Sequence, residues 1–210
     1  IVAHSMGGLV ARAVIEDPGL DPGIVNRLIM VGTPNQGSRL AYFPGGFDWL
    51  EHRGRNGEEG DGNGLFARAA ADGLNEASLD MWPDSKFLRR LNRRGLNTQV
   101  RYTLLLGTQA PLSEEAFEEV RERIAGGLES SGLLRLLKPR IEETLVDLDE
   151  LQDEKGDGAV AVKRGRLEGV EDTELLPISH FAITREAGDA RFDLLLEAVL
   201  KRLNEDVAPE

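Results

Sequence analysis

The chain opens on Ile1-Val2-Ala3-His4-Ser5-Met6-Gly7-Gly8-Leu9-Val10-Ala11-Arg12-Ala13-Val14, and the reading of this stretch decides the fold. Ile1 to Ala3 is a short apolar, β-prone run. His4 to Gly8 is a turn signal. Leu9, Val10, Ala13 and Val14 then recur at helical spacing until Pro18-Gly19 ends the helix. Ser5 therefore sits where a strand reverses into a helix. Its neighbours two positions away, Ala3 and Gly7, are small, and bulk there would clash in a strained elbow. Such an elbow lifts the hydroxyl out of the sheet and sets it at a helix N-terminus, where backbone N–H groups favour negative charge. The N–H of Met6 is then placed to donate to a developing oxyanion. An ordinary tight turn can also hold a serine, but here both the strand and the helix are visible around it.

Outward from the elbow, Val25 to Val31 is a second buried strand, closed by Gly32-Thr33-Pro34. Strand, turn, helix and strand make a βαβ unit, which implies a parallel sheet. Gln99 to Leu106 is a third strand, closed by Gly107-Thr108. Glu174 to Ile178 is a fourth and leads into Ser179-His180-Phe181. In the last helix Phe192, Leu195, Leu196, Val199, Leu200 and Leu203 keep one apolar face.

Two long excursions separate these elements. Residues 34–99 hold a loop over 45–64, glycine-rich enough at 7 in 20 positions to be mobile. Short helices are expected over Leu65–Asn75 and Asp84–Arg94. Phe43, Phe47, Trp49, Phe66, Met81 and Trp82 supply the apolar content, either as a cap over a substrate or as packing of the insertion against its own domain. Asp61-Gly62-Asn63-Gly64 fails as a calcium loop because Leu65 stands at the next ligand position. Residues 108–156 form the second insertion. Ser113 is a candidate N-cap there, and a helix over 139–152 is expected to carry a solvated acidic face.

A serine hydroxyl needs a base to take its proton. Three histidines are available. His4 adjoins Ser5, so its side chain is expected to point elsewhere off the turn. His52 lies in a charged loop and reads as solvated. His180 follows the last strand and can approach Ser5 from a separate strand. The base in turn needs an acid to fix its tautomer. Asp157, between Gly156 and Gly158, is the best placed, with Asp147, Asp149 and Asp153 as rivals.

Composition narrows the partners. The chain has 210 residues and a formal charge of −12, which repels phosphate backbones and anionic headgroups and argues against nucleic-acid binding. Arg89, Arg90, Arg93 and Arg94 read as a solvated helix face. No run reaches the roughly 18 apolar residues of a membrane span. The absence of cysteine removes a thiol nucleophile and a disulfide framework, and says nothing of compartment.

The stretches AHSMGGLVARAV, VNRLIMVGTPNQGS, PDSKFLRRLN, GDGAVAV and ISHFAIT resemble bacterial lipase-like and esterase-like α/β-hydrolases, including inositol-deacylase-like and thioesterase-like branches. The resemblance implies an α/β-hydrolase fold: the C-terminal part of a mostly parallel sheet flanked by helices, as one domain over 1–210 with helical cap insertions at 34–99 and 108–156. It implies Ser5 as nucleophile, His180 as base, Asp157 as acid and Met6 as one oxyanion donor, in the hydrolysis of lipid-like or other apolar acyl esters without cofactor or metal. Thioesterase, amidase or acyltransferase chemistry uses the same residues, and a non-catalytic interaction module is the alternative from another class. In this fold four strands precede the elbow and one of their loops carries the other oxyanion donor. Only two residues precede Ala3 here, so the sequence is expected to lack its N-terminal strands and to leave the elbow strand with a bare edge.

Overall fold

The computed structural model describes residues 1–40, 79–119, 122 and 148–205. The glycine-rich stretch 45–64, the helix expected over Leu65–Asn75, the aromatics Phe43, Phe47, Trp49 and Phe66, the histidine His52, and most of the helix expected over 139–152 lie outside these residues.

Strands β1 (Val2–His4), β2 (Arg27–Val31), β3 (Arg101–Gly107) and β4 (Thr173–Leu176) form one sheet in chain order. Every pairing is parallel, with Ala3 opposite Met30, Met30 opposite Leu104 and Leu105 opposite Glu174. Helices α1 (Met6–Ile15), α2 (Lys86–Asn92) and α3 (Ala190–Asn204) surround it. Leu28 and Met30 of β2 join Leu104 and Leu106 of β3 on one face, with Ile15 of α1. Their alternates Ile29, Val31 and Leu105 enter a second core with Leu195 and Ala198 of α3. Because helices cover both faces, RLIMV and YTLLL read as continuous apolar runs instead of alternating ones. Fully burying a side chain such as Ile29 or Leu105 contributes about 1.5–3 kcal/mol. Among the described residues β1 pairs only with β2, and Ile1 and Val2 remain about half exposed.

Local signals explain the helix ends. Ser85 caps α2, its hydroxyl accepting from the Leu88 N–H. Asp189 caps α3, accepting from the Arg191 N–H at 2.9 Å. Ser113 likewise accepts from the Ala116 N–H and starts a helical stretch at 114. Leu88 and Leu91 of α2 pack with Leu9 of α1 and with Met81. Met81 thus packs against the domain. Arg89, Arg90 and Arg93 are exposed as expected, and Arg94 pairs with Asp17 at 3.0 Å. Arg202 of α3 is buried and ties the helix to the sheet through Asp172 and Glu174.

Two expectations are corrected. The fourth strand ends at Leu176 instead of Ile178, since Pro177 has no N–H to extend the ladder. The acidic stretch is not simply a solvated helix face. Asp149–Leu151 is a 3₁₀ turn, and the Glu150 side chain is fully buried. Its Oε1 accepts from the Arg164 guanidinium and from the Arg39 N–H, each at 3.0 Å. Those donors replace water and offset the desolvation of the carboxylate.

Candidate functional site

Residues at the carboxyl ends of the strands converge. β1 stops at His4 and α1 begins at Met6, so Ser5 alone reverses the chain, at φ 53° and ψ −130°. A non-glycine residue held there costs about 1–3 kcal/mol. Two backbone bonds hold it: the Ser5 N–H donates to Val31 O at 2.9 Å, and the Gly8 N–H to Ser5 O at 3.1 Å. The Ser5 hydroxyl does not cap the helix. It lies 3.0 Å from His180 Nε2. As the first residue of α1, Met6 has an N–H with no acceptor in the preceding turn of helix.

His180 and Asp157 are 5% and 3% exposed, so water does not compete for their bond. His180 Nδ1 is 2.9 Å from Asp157 Oδ2. An Nδ1–H donated to the carboxylate leaves Nε2 free to accept the serine proton. The Asp157 carboxylate is held from behind, its Oδ1 accepting from the N–H groups of Ala159 at 2.9 Å and Val160 at 2.7 Å. Its backbone carbonyl accepts from the His180 N–H at 2.8 Å. The loop is supported by the buried Glu150, whose carbonyl accepts from the Gly158 N–H at 2.8 Å.

The rival acids are engaged elsewhere. Asp149 pairs with Lys163 at 2.8 Å, and Asp153 accepts from the Ala110 N–H. Asp147 lies outside the described residues.

Sequence reasoning missed three contributors. Gly32 and Gly107 were legible only as strand terminators. A Cβ on Gly32, at φ +54°, would stand 3.0 Å from both Asp157 Oδ2 and His180 Nδ1, and one on Gly107 would stand 2.7 Å from Asp157 Cβ. Each glycine leaves the room that Asp157 and His180 occupy. The third is His4. The expectation that its side chain leaves the site is corrected: its ring lies 4.7 Å from that of His180, tilted by 44°, and its Nε2 is 2.9 Å from His180 O. The segment after β4 folds back over the end of β1, and no local signal in either segment announces that contact. Burial, followed by the proximity of His180, lowers the His4 pKa from 6.5 to about 4, so the ring is neutral near pH 7.

Residues 1–48 match the family described as PGAP1-like alpha/beta domain. No match is found among curated proteins. Among solved structures, the lipase BlEst2 of Bacillus licheniformis in its mature form is 20% identical with a TM-score of 0.49, over 93% of this chain and 63% of that one. Its propeptide form is 19% identical with a TM-score of 0.48, over 93% of this chain and 34% of that one. The chain thus spans less than two thirds of the length of either. The family match falls on the segment that builds β1, the turn at Ser5, α1 and β2, at one side of a parallel sheet flanked by helices.

Proposed function

We propose that the protein is a serine hydrolase of carboxylic esters with apolar acyl groups. One observation carries the reading: the hydrogen-bonded run Ser5 Oγ–His180 Nε2–His180 Nδ1–Asp157 Oδ2, with steps of 3.0 and 2.9 Å, across segments 175 and 23 residues apart in sequence. Ser5 Oγ attacks the ester carbonyl carbon as His180 Nε2 takes its proton. The carbonyl oxygen becomes an oxyanion facing the Met6 N–H, while Asp157 stabilises the imidazolium. The tetrahedral species collapses, the carbon–oxygen bond to the alcohol breaks, and His180 returns the proton to the leaving oxygen. Water then repeats the cycle on the acyl-enzyme. No step requires a metal or an organic cofactor. The apolar acyl preference rests on the aromatic content of the insertion 34–99.

A fluorophosphonate probe on the full-length protein tests the nucleophile. Labelling of the parent and none of Ser5→Ala is expected, and undiminished labelling of that variant would retire Ser5. Rates on the ester, thioester and amide of one acyl group, measured side by side, test the reaction class. The ester is expected to react faster than the amide.

A further inference from the structure

We infer that His4 is a positioning residue for His180, its ring Nε2–H donating to the His180 carbonyl and so holding His180 at the reach Ser5 needs. The inference rests on the hydrolase reading above. β1 and β4 are not neighbours in the sheet, since β2 and β3 stand between them. The direct side-chain bond from Ser5 to His180 is lost on every turnover, once Ser5 Oγ carries the acyl group. The His4–His180 bond of 2.9 Å contains no reacting atom and survives the cycle.

The backbone of His180 is consequently held at both poles. Its N–H goes to the carbonyl of Asp157, and its C=O to the residue beside the nucleophile. Phe181 stands edge-on to the His180 ring at 5.4 Å and further limits its swing. The two histidines need opposite tautomers: Nδ1–H on His180, so that Nε2 accepts from Ser5, and Nε2–H on His4, so that it donates to a carbonyl. The titratable groups facing His4 are His180 and Asp157, and a neutral His4 places no positive charge against the imidazolium that forms on His180 during the cycle.

His4→Gln keeps an N–H donor near the Nε2 position, while His4→Phe keeps a ring and loses the donor. On a p-nitrophenyl ester, His4→Phe is expected to lower kcat about 10- to 100-fold with KM unchanged, the scale of a misplaced base. His4→Gln is expected to stay within about threefold of the parent. Parental kcat in a folded His4→Phe, or equal losses in both folded variants, would overturn the assignment. Histidine ring nitrogen spectra of the parent at pH 7 serve if His4→Phe does not fold. A neutral Nε2–H tautomer at His4 is expected, and an Nδ1–H tautomer or a cation would overturn it. Ser5→Ala separates the two readings. Activity surviving in that variant removes the serine mechanism, whereas the ring spectra report on the His4 tie alone.

Discussion

Replacing Gly32 by alanine separates room for the acid–base pair from backbone strain. Gly32 has φ +54°, where an L-residue costs about 1–2 kcal/mol. For a chain of this size that lowers Tm by about 2–8 °C. The added Cβ would also stand 3.0 Å from Asp157 Oδ2 and 3.0 Å from His180 Nδ1, inside the 3.4–4 Å of ordinary contact. Either partner must move by a few tenths of an ångström. Their own bond is 2.9 Å, so the shift stretches the hydrogen bond that fixes the His180 tautomer. Loss of the correct tautomer in such a site lowers kcat by up to about 10⁴. A fall in kcat/KM of about 10²–10⁴ is expected, roughly 3–5 kcal/mol of lost transition-state stabilisation. Gly23→Ala is the control. Gly23 has φ +67° and nothing within 4 Å of its Cβ, so it carries the backbone cost without the contact. Ester hydrolysis and thermal unfolding of both variants decide the matter. Equal activity in folded Gly32→Ala and Gly23→Ala would refute the reasoning.

Other perturbations probe the supports. His4 has its pKa lowered on folding from 6.5 to about 4, so the unfolded chain binds more protons between these values. The corresponding stability is fully present above pH 6.5 and is lost as pH falls towards 4, a change on the order of 3 kcal/mol. His4→Gln should flatten that part of the pH dependence in urea unfolding, and identical slopes for parent and variant would contradict it. Arg164→Met removes the guanidinium that donates to the buried Glu150 Oε1 and should destabilise by about 3–5 kcal/mol in the same assay. Arg202→Ala breaks the tie between α3 and the Asp172–Glu174 end of the sheet. It should cost about 2 kcal/mol with kcat/KM unchanged, because Asp172 and Glu174 are partly exposed and Arg202 contacts none of Ser5, His180 or Asp157.

Short-range chemistry explains why much of the frame was legible. A serine between small residues, with an apolar run on one side and helical spacing on the other, defines an elbow without reference to distant parts of the chain. The buried runs of β2 and β3 carry their own signature, as a sheet covered on both faces has no polar alternate to display. Caps such as Ser85 and Asp189 act over one turn and so reside in the sequence itself. The candidacy of His180 and Asp157 followed from residue type and chain position. Glu150 was misread for the converse reason. An acidic cluster looks solvated until Arg164, fourteen residues on, supplies the charge that makes burial tolerable.

The sequence by itself determined a parallel strand–helix frame with a serine at its tightest turn, since those features depend on neighbours within one or two turns of chain. Tertiary structure alone decided that Asp157 rather than Asp149 or Asp153 meets His180, that Gly32 and Gly107 exist to leave space, and that His4 turns into the site. Those outcomes depend on distances between segments from 23 to 176 residues apart, set by how the loops after β3 and β4 fold back over the sheet. Local propensity does not encode such distances.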